Sequence, residues 1–581
     1  MSMQPGGFLP PLDPNQQGPD NKRLFLTVIL TTGLFMGMQF FLQKPQPEQA
    51  AATAGVDAGV ADAVPSELNA APAPAAGSTP DSLPEEVVAF SANVAEKSGL
   101  DHIVVKGGYD AKVSSHGAQI TSFALPAYKD VRFTMGKTKE HPPVDFAWAR
   151  HEGAAMVAMR SRGGDVTLAV NAPYAIVQRD EKSVTFERVT AAGVRITRSY
   201  VFDPARFSFT HEVTLKNESS AKKEAAFDVV FADGGGHQEV VFVGKGAMFA
   251  PTSAAAACRV DDSREAIAPS DIKDEKAVEH KGSVSYAAID HHYFLAGMTF
   301  DGTPTQACKA VRTGDNKDED APPIFDLVVE QSAVTLAPGE VKSFRHEAFF
   351  GPKQIGLLAE FGHNFEENVA FGIFGAISRP MLWLLVQLYK YLSSFGLAII
   401  ALTFIVKLLT FPLTQKGYVG MQQMKKLQPE LKALQEKYGH DKAVFGQKQM
   451  ELFQKGGVNP LAGCFPMLIQ MPVWFALYSM LSQAVELYQQ PWGSLISDLT
   501  QPDALLFGFP FLPLIVGALM LVQTVMQPPP QDQPQMKYIM WGMPIFFTFL
   551  MINMASGLSI YMITNSLLTM AQQFYIKRKY A

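Results

Sequence analysis

Five long apolar stretches limit what this 581-residue chain can fold into; they lie at about 382–411, 461–483, 504–526, 537–553 and 556–576. Each is long enough to cross a hydrocarbon core of roughly 30 Å, the fourth only just. A sixth stretch at 24–42 follows Lys22 and Arg23. Charged residues make up only 18% of the chain, against about 25% in soluble proteins. The 25 Met gather toward the C-terminal third. A formal net charge of -6 gives no reason to expect direct nucleic-acid binding. These features predict an α-helical polytopic membrane protein with six transmembrane helices.

The stretch at 24–42 admits two readings. Small residues at Ala50, Ala51 and Ala52 suit a cleaved signal peptide, but signal cores usually run about 7–15 residues. The greater length favours an uncleaved anchor. Either way the basic flank keeps the N-terminus in the cytoplasm and sends the following segment across.

Composition divides the chain further. Residues 1–23, rich in Pro, Gly and Gln, read as a disordered cytoplasmic N-terminus, and 43–84, dominated by Ala and Pro, as a linker. From 85 to 350 the pattern is short alternating runs. Phe207, Phe209, Val213 and Leu215 alternate with Ser208, Thr210, Glu212 and Thr214. The run 194–201 repeats the pattern, and Asp203-Pro204 makes a turn between them. Many such strands predict an all-β domain, an antiparallel β-sandwich. Residues 355–376 read as an amphipathic helix at the membrane interface, or else a plain linker helix, with Glu360, His363, Glu366 and Glu367 among Phe361, Phe365, Val369 and Phe371.

Loop charges set orientation. The 412–460 loop carries Lys416, Lys425, Lys426, Lys432, Lys437, Lys442, Lys448 and Lys455, whereas 484–503 carries Glu486, Asp498 and Asp503 and no Lys or Arg. The short basic tail, 577–581, holds Lys577, Arg578 and Lys579. By the positive-inside rule both termini are cytoplasmic and the β-domain lies on the far, periplasmic side. Within the basic loop, Met424, Leu427, Leu431, Leu434 and Tyr438 make a coiled-coil-type seam. Pro429 kinks or restarts the first helix, Gly439 ends it and Asp441 caps the next. The expected product is a cytoplasmic helical hairpin at 415–456. Its lysines (Lys425, Lys426, Lys432 and Lys437 in particular) either dock ribosome, signal-recognition targeting factors or substrate, or serve only to retain the loop inside.

Lys407 is the only formal charge between Leu392 and Phe411. A lysine at a helix centre costs about 2.5–3.5 kcal/mol on insertion scales and is usually functional. Thr403, one turn earlier, shares its face. Together they line a polar cavity, or Lys407 snorkels toward Pro412, about 8 Å away along the helix. Gln470, Thr524, Asn553, Ser556, Ser559, Tyr561, Thr564 and Asn565 are further polar residues in apolar stretches, either cavity-lining or helix–helix glue.

Thr403-Phe404-Ile405-Val406-Lys407 with Phe411-Pro412-Leu413-Thr414, Met424-Lys425-Lys426-Leu427-Gln428-Pro429, the run from Asn459 to Pro472, and Ser556-Gly557-Leu558-Ser559-Ile560-Tyr561 resemble, in order and spacing, the YidC/Oxa/Alb insertase family. The N-terminal half resembles the Gram-negative form, whose periplasmic sandwich is similar to sugar-binding folds. The resemblance implies a five-helix insertase core at 382–576 enclosing a hydrophilic groove, with Lys407, Thr403, Gln470, Tyr561 and Asn565 at groove or wall positions. It implies nascent membrane proteins as clients, the Sec translocon and its accessory subunits as partners, the lipid bilayer as medium, and no catalytic residue or cofactor. Lys407 stands where the family usually has Arg, which keeps the charge and loses the bidentate fork. Met562 stands where many relatives have an aromatic residue.

Two other function classes are open to the same residues: a transporter or channel with Lys407 as counter-ion, and a membrane-tethered carbohydrate-active enzyme. The first usually shows inverted repeats, and the second needs converging acids and imidazoles; His211, Glu212, His237 and Glu239 form no recognisable set. Cys258, Cys308 and Cys464 lack metal-ligand spacing. Cys258 and Cys308 are a possible disulfide in a periplasmic domain, or two inert buried thiols.

Overall fold

The computed structural model describes residues 103–129, 143–146, 156–232, 255–268, 271–272, 277–314, 324–457, 465–493, 496–502, 505–506, 509–526, 534–552 and 554–580. The expected N-terminal segment, anchor and linker (1–84) lie outside them, as do Asn459 to Cys464, Asn553, His237 and Glu239. Two compact units divide the chain, one of 86–419 with 463–581 and the other of 1–85 with 420–462.

The larger unit begins with two antiparallel sheets. The central path of the first runs Ile103–Lys106, Asp110–Ser114, Gln119–Lys129, Val157–Gly164, Lys223–Ala232, Ile324–Gln331, Thr305–Gly314 and Val278–Lys281. The second runs Ser263–Ile267, Ala255–Val260, Val284–Asp290, Phe294–Thr299, Val341–Pro352, Ser208–Asn217, Val194–Asp203, Ser183–Val189 and Ala175–Arg179. Their inner faces share one core, with Phe123 of the first sheet against Phe209 and Phe350 of the second. This is a β-sandwich.

Alternation places the inward set. Along Ser208–Asn217, Phe209, His211, Val213 and Leu215 are buried and Glu212 is exposed. His211 and Glu212 therefore point to opposite faces and do not converge. Phe207, read as part of this strand, sits instead in the preceding turn at φ 54°. Arg198 takes an inward position and is 1% exposed. It donates to Gly117 O, Tyr200 Oη and His211 Nε2. A guanidinium has only donors, so His211 Nε2 accepts and its ring stays neutral. Cys258 of the second sheet and Cys308 of the first are joined by a disulfide, with a Cα–Cα distance of 6.5 Å. The bond staples one sheet to the other.

Past the sandwich, the segment read as one interfacial helix over 355–376 is broken. Helix α1 (Ile355–Phe361) ends at Gly362 (φ 83°), followed by His363 and Asn364, both left-handed. Two 3-10 turns follow, Phe365–Asn368 and Gly372–Phe374. Three consecutive residues at positive φ, Gly362, His363 and Asn364, stop the helix, because a right-handed helix does not contain that conformation. Leu358, Phe365 and Val369 bury against Tyr286, Ala288, Leu295 and Phe349 on the outer face of the second sheet. Arg259–Glu367 (2.7 Å) and Arg264–Asn368 (2.9 Å) fasten the segment there.

The stretch read as one span over 382–411 is likewise two helices, α2 (Gly375–Leu392) and α3 (Phe395–Lys426). Ser393 is left-handed (φ 52°) and turns the corner, where Tyr389 stacks on Phe395 with ring centroids 3.9 Å apart. Hydropathy does not register such a corner, because both arms are apolar. In the smaller unit, α4 (Gln428–Tyr438) starts with Pro429 in its first turn, and Asp441 accepts from Ala443 and Val444 N–H to cap α5 (Lys442–Lys455). Helices α6 (Phe465–Gln483), α7 (Phe511–Met526), α8 (Pro534–Met551) and α9 (Ser556–Tyr580) complete the larger unit. The apolar stretch read from 504 becomes helical only at Phe511. Among the described residues α3 alone passes both length and composition for a membrane-crossing helix, and α7 is a shorter apolar one.

The segment between α6 and α7 belongs to both cores of this unit. Val485 and Tyr488 pack in the sandwich, while Leu487, Ile496 and Leu499 pack among the helices. Tyr488 Oη donates to Lys129 O at 2.9 Å, and Ser556 and Gly557 N–H donate to Gln501 O and Leu499 O.

Two measurements follow from the sandwich. Burial holds His346 and His292 down at about 4, and burial with the nearby Arg198 charge holds His211 well below the usual imidazole range. Above about pH 6.5 these rings are neutral folded or unfolded. Below it the unfolded chain binds protons that the folded chain refuses, so stability falls as pH drops from about 6.5 toward about 4. Burial pushes the Glu486 carboxyl up to about 6. It opposes this loss, but only once the pH is below about 6. Thermal unfolding of the full chain in detergent is expected to weaken first between pH 7 and 6. His346→Gln, which keeps a donor for Thr299 O, flattens that fall; an equal fall in the variant refutes the assignment. Second, the Cys258→Ser/Cys308→Ser variant is expected to lose about 2–5 kcal/mol of stability. If both thiols of the unreduced, denatured parent react with a thiol reagent, the bond is not formed.

Candidate functional site

The helices of the larger unit bury an apolar core and also leave many large apolar side chains exposed. Leu408 and Leu409 are 74% exposed, and Phe404, Val525, Ile545, Phe546, Phe549 and Phe574 are exposed as well. A water-soluble bundle does not expose apolar surface on this scale, so the pattern fits lipid around the helices. Polar side chains point the other way and meet between helices.

Lys407 is half-buried on α3, and its Nζ donates to Thr569 Oγ1 on α9 at 2.9 Å. Thr569 Oγ1 donates in turn to Asn565 O at 2.7 Å. One and two turns back along α9, Asn565 and Tyr561 continue the same stripe, and Gln572 extends it the other way. Gln470 Nε2 on α6 donates to Tyr561 Oη at 3.0 Å. Gln572 Nε2 donates to Thr414 Oγ1 on α3 at 3.0 Å, and Gln523 Nε2 on α7 to Ser566 O at 3.0 Å. Helix α9 thus carries a polar edge touched by three neighbours.

The sequence-derived residues fall into three groups. Gln470 and Tyr561 meet directly, and Lys407 reaches the Asn565 carbonyl through Thr569. Thr403 stands apart: it is buried, and its hydroxyl donates to Ile399 O at 2.7 Å within its own helix. The third group is Lys425, Lys426, Lys432 and Lys437, all exposed on the helices of the smaller unit, where Leu431 is buried. Thr569, Gln572, Thr414, Gln523 and Ser566 were missed. Spacing gave the only available clue, since 561, 565, 569 and 572 recur every three or four positions. Among the described residues no His, Cys, Asp and Glu gather in groups able to hold a metal.

The Gln470–Tyr561 pair gives a direct test of this stripe. Tyr561→Phe strands an amide and is expected to cost toward the low end of roughly 1–3 kcal/mol, whereas removing both partners is nearly neutral. Thermal unfolding in detergent should therefore rank Tyr561→Phe with Gln470→Leu above Tyr561→Phe alone. Additive losses would show that the two residues do not pair.

Two family models match the chain. Residues 387–581 match that of the 60Kd inner membrane protein, and residues 104–384 that of the YidC periplasmic domain. A membrane protein insertase YidC from Citrifermentans bemidjiense is 30% identical over 96% of this chain and 99% of its own length. One from Geobacter sp. strain M21 is 32% identical over 81% of this chain and 84% of its own. Among solved structures, an active YidC insertase crystal structure with the first transmembrane domain resolved covers 82% of this chain and 93% of that chain. It shows 16% identity and a TM-score of 0.36.

Proposed function

This chain belongs to the YidC family of membrane protein insertases, an inner-membrane insertase with a periplasmic domain, and from that premise we propose how its parts divide the work. Six spans cross the membrane: the stretch at 24–42, then α3, α6, α7, α8 and α9. Both termini lie in the cytoplasm. The groove lies along the polar edge of α9, with Lys407 as its cation and Gln470, Tyr561 and Asn565 along it. Thr403 backs the wall from inside α3. The observation that carries this reading is a helical surface rich in exposed apolar side chains with Lys407 turned inward toward Thr569.

No bond chemistry is needed. A cation at low dielectric attracts the acidic or polar segment of a client, worth about 4 kcal/mol for unit charges 4 Å apart at an effective dielectric of 20. Polar neighbours and water lower the cost of carrying that segment part-way across. Transfer of the client's apolar span into lipid then drives completion. Lys425, Lys426, Lys432 and Lys437 offer a cytoplasmic docking face for the ribosome and targeting factors, and the Sec translocon serves as partner for larger clients. The sandwich, two facing sheets of the kind also found in sugar-binding folds, acts as a brace and not as an enzyme.

Depleting the protein and following the topology of a small single-span client tests the function. Insertion should stall and recover with the parent gene; normal insertion in depleted cells sinks the reading. For the groove, Lys407→Arg should retain insertion of a client with an acidic translocated segment. Lys407→Ala should lower it and Lys407→Glu should lower it most. Equal rates across the series would leave Lys407 as a snorkelling surface lysine.

A further inference from the structure

We propose that Thr569 is the positioning residue for Lys407, an uncharged latch that keeps the ammonium in the groove and away from the cytoplasmic headgroups. The inference rests on Lys407 being the client-facing cation. It starts from a count of protons. A threonine hydroxyl has one hydrogen, and that of Thr569 goes to Asn565 O at 2.7 Å. Toward Lys407 Nζ, 2.9 Å away, Thr569 can only accept. The back-bond and the branched Cβ fix the rotamer, so the lone pair has a set direction.

A lysine needs such a latch more than an arginine does. Its ammonium rides on a flexible four-carbon stem and makes no fork. Pro412 is only about 8 Å of helix rise away, so an unheld stem can snorkel out of the groove. Among the described residues Thr569 is the side chain that bonds the Lys407 ammonium. Thr414 Oγ1 already accepts from Gln572 Nε2, and Thr403 is buried with its hydroxyl turned to Ile399 O. Among the described residues no carboxylate pairs with Lys407. A neutral acceptor orients the cation without cancelling it, and two of its three N–H donors remain for an incoming acidic segment.

The full-length protein reconstituted in liposomes provides the test. It would be assayed with a single-span client carrying an acidic translocated segment and with a neutral twin. Thr569→Val keeps the shape and removes the acceptor. It should cut insertion of the acidic client about five-fold, the weight of one net hydrogen bond, with the neutral twin changed less than two-fold. Thr569→Ser should restore the acidic client. In parallel, a membrane-impermeant amine-acylating reagent added from the cytoplasmic side should label Lys407 faster in Thr569→Val than in the parent. Equal losses for both clients with unchanged labelling mean that Thr569 is merely structural. If Lys407→Ala abolishes the preference for the acidic client but Thr569→Val does not, the positioning inference fails alone. If Lys407→Ala leaves that preference intact, the groove reading fails and this inference with it.

Discussion

Every polar hydrogen on a helix that faces lipid has to find an acceptor inside the protein, and this constraint shapes the helical half. Thr403, Thr410, Thr414, Thr524, Thr548, Thr564 and Thr569 all return their hydroxyls to the carbonyl four residues back. Such bonds let a threonine sit in an apolar helix without a partner elsewhere. Once the proton is committed, each oxygen still has lone pairs to offer. Two of the seven use them across a helix interface, Thr414 toward Gln572 and Thr569 toward Lys407. The polar contacts between helices thus grow out of the local bookkeeping of single helices. Close approach serves the same end: Gly517 leaves no room for a Cβ, which would fall 2.0 Å from Thr548 Oγ1 on α8.

The sandwich solves the opposite problem, hiding apolar surface from water. The two regimes meet in the segment between α6 and α7. Its Val485 and Tyr488 complete the sandwich core, and its Leu487, Ile496 and Leu499 complete the helical one. Trp492 lies over Gly396 at the start of α3, where any Cβ would come within 2.1 Å of the indole. A displacement of the sandwich therefore bears on the same short segment that caps α9 through Ser556 and Gly557. The connector from Ile355 to Phe374 makes a second attachment on the outer face of the second sheet. Two attachments hold an orientation that one would leave free to swing.

Period-two alternation made the sandwich legible, because burial on one face forces it residue by residue, as in Ser208–Asn217. The same rule hid Arg198, a charged side chain at an inward position whose partners come from distant strands. Asp441 was legible as a cap because capping is local. The corner at Ser393 and the broken connector at Gly362 were not. The first turns where Tyr389 stacks on Phe395, the second where three consecutive residues take positive φ, and hydropathy records neither. In the candidate site, Lys407 stood out as a charge in an apolar run. Thr569 did not, since a threonine in a membrane helix is ordinarily spent on its own backbone. Only the position of α3 relative to α9 reveals its second contact.

The charges of the helical half are kept apart. Glu486 and Asp498 sit in the segment between α6 and α7, and burial raises both carboxyl groups above their ordinary range. Lys577, Arg578 and Lys579 close the last turn of α9 at its other end. Lys407 lies between these groups, and its partner is a hydroxyl. Had an Asp stood at 569, the cation would be neutralised by its own protein, and removing either member of such a pair leaves a buried charge unpaired. With Thr569 the charge of Lys407 is not cancelled, and on the proposed reading its attraction is left for another chain. A lysine held this way gives up the planar recognition of an arginine fork. On the proposed reading it keeps the attraction that varied client segments can share, toward negative charge or polarity and not toward one shape.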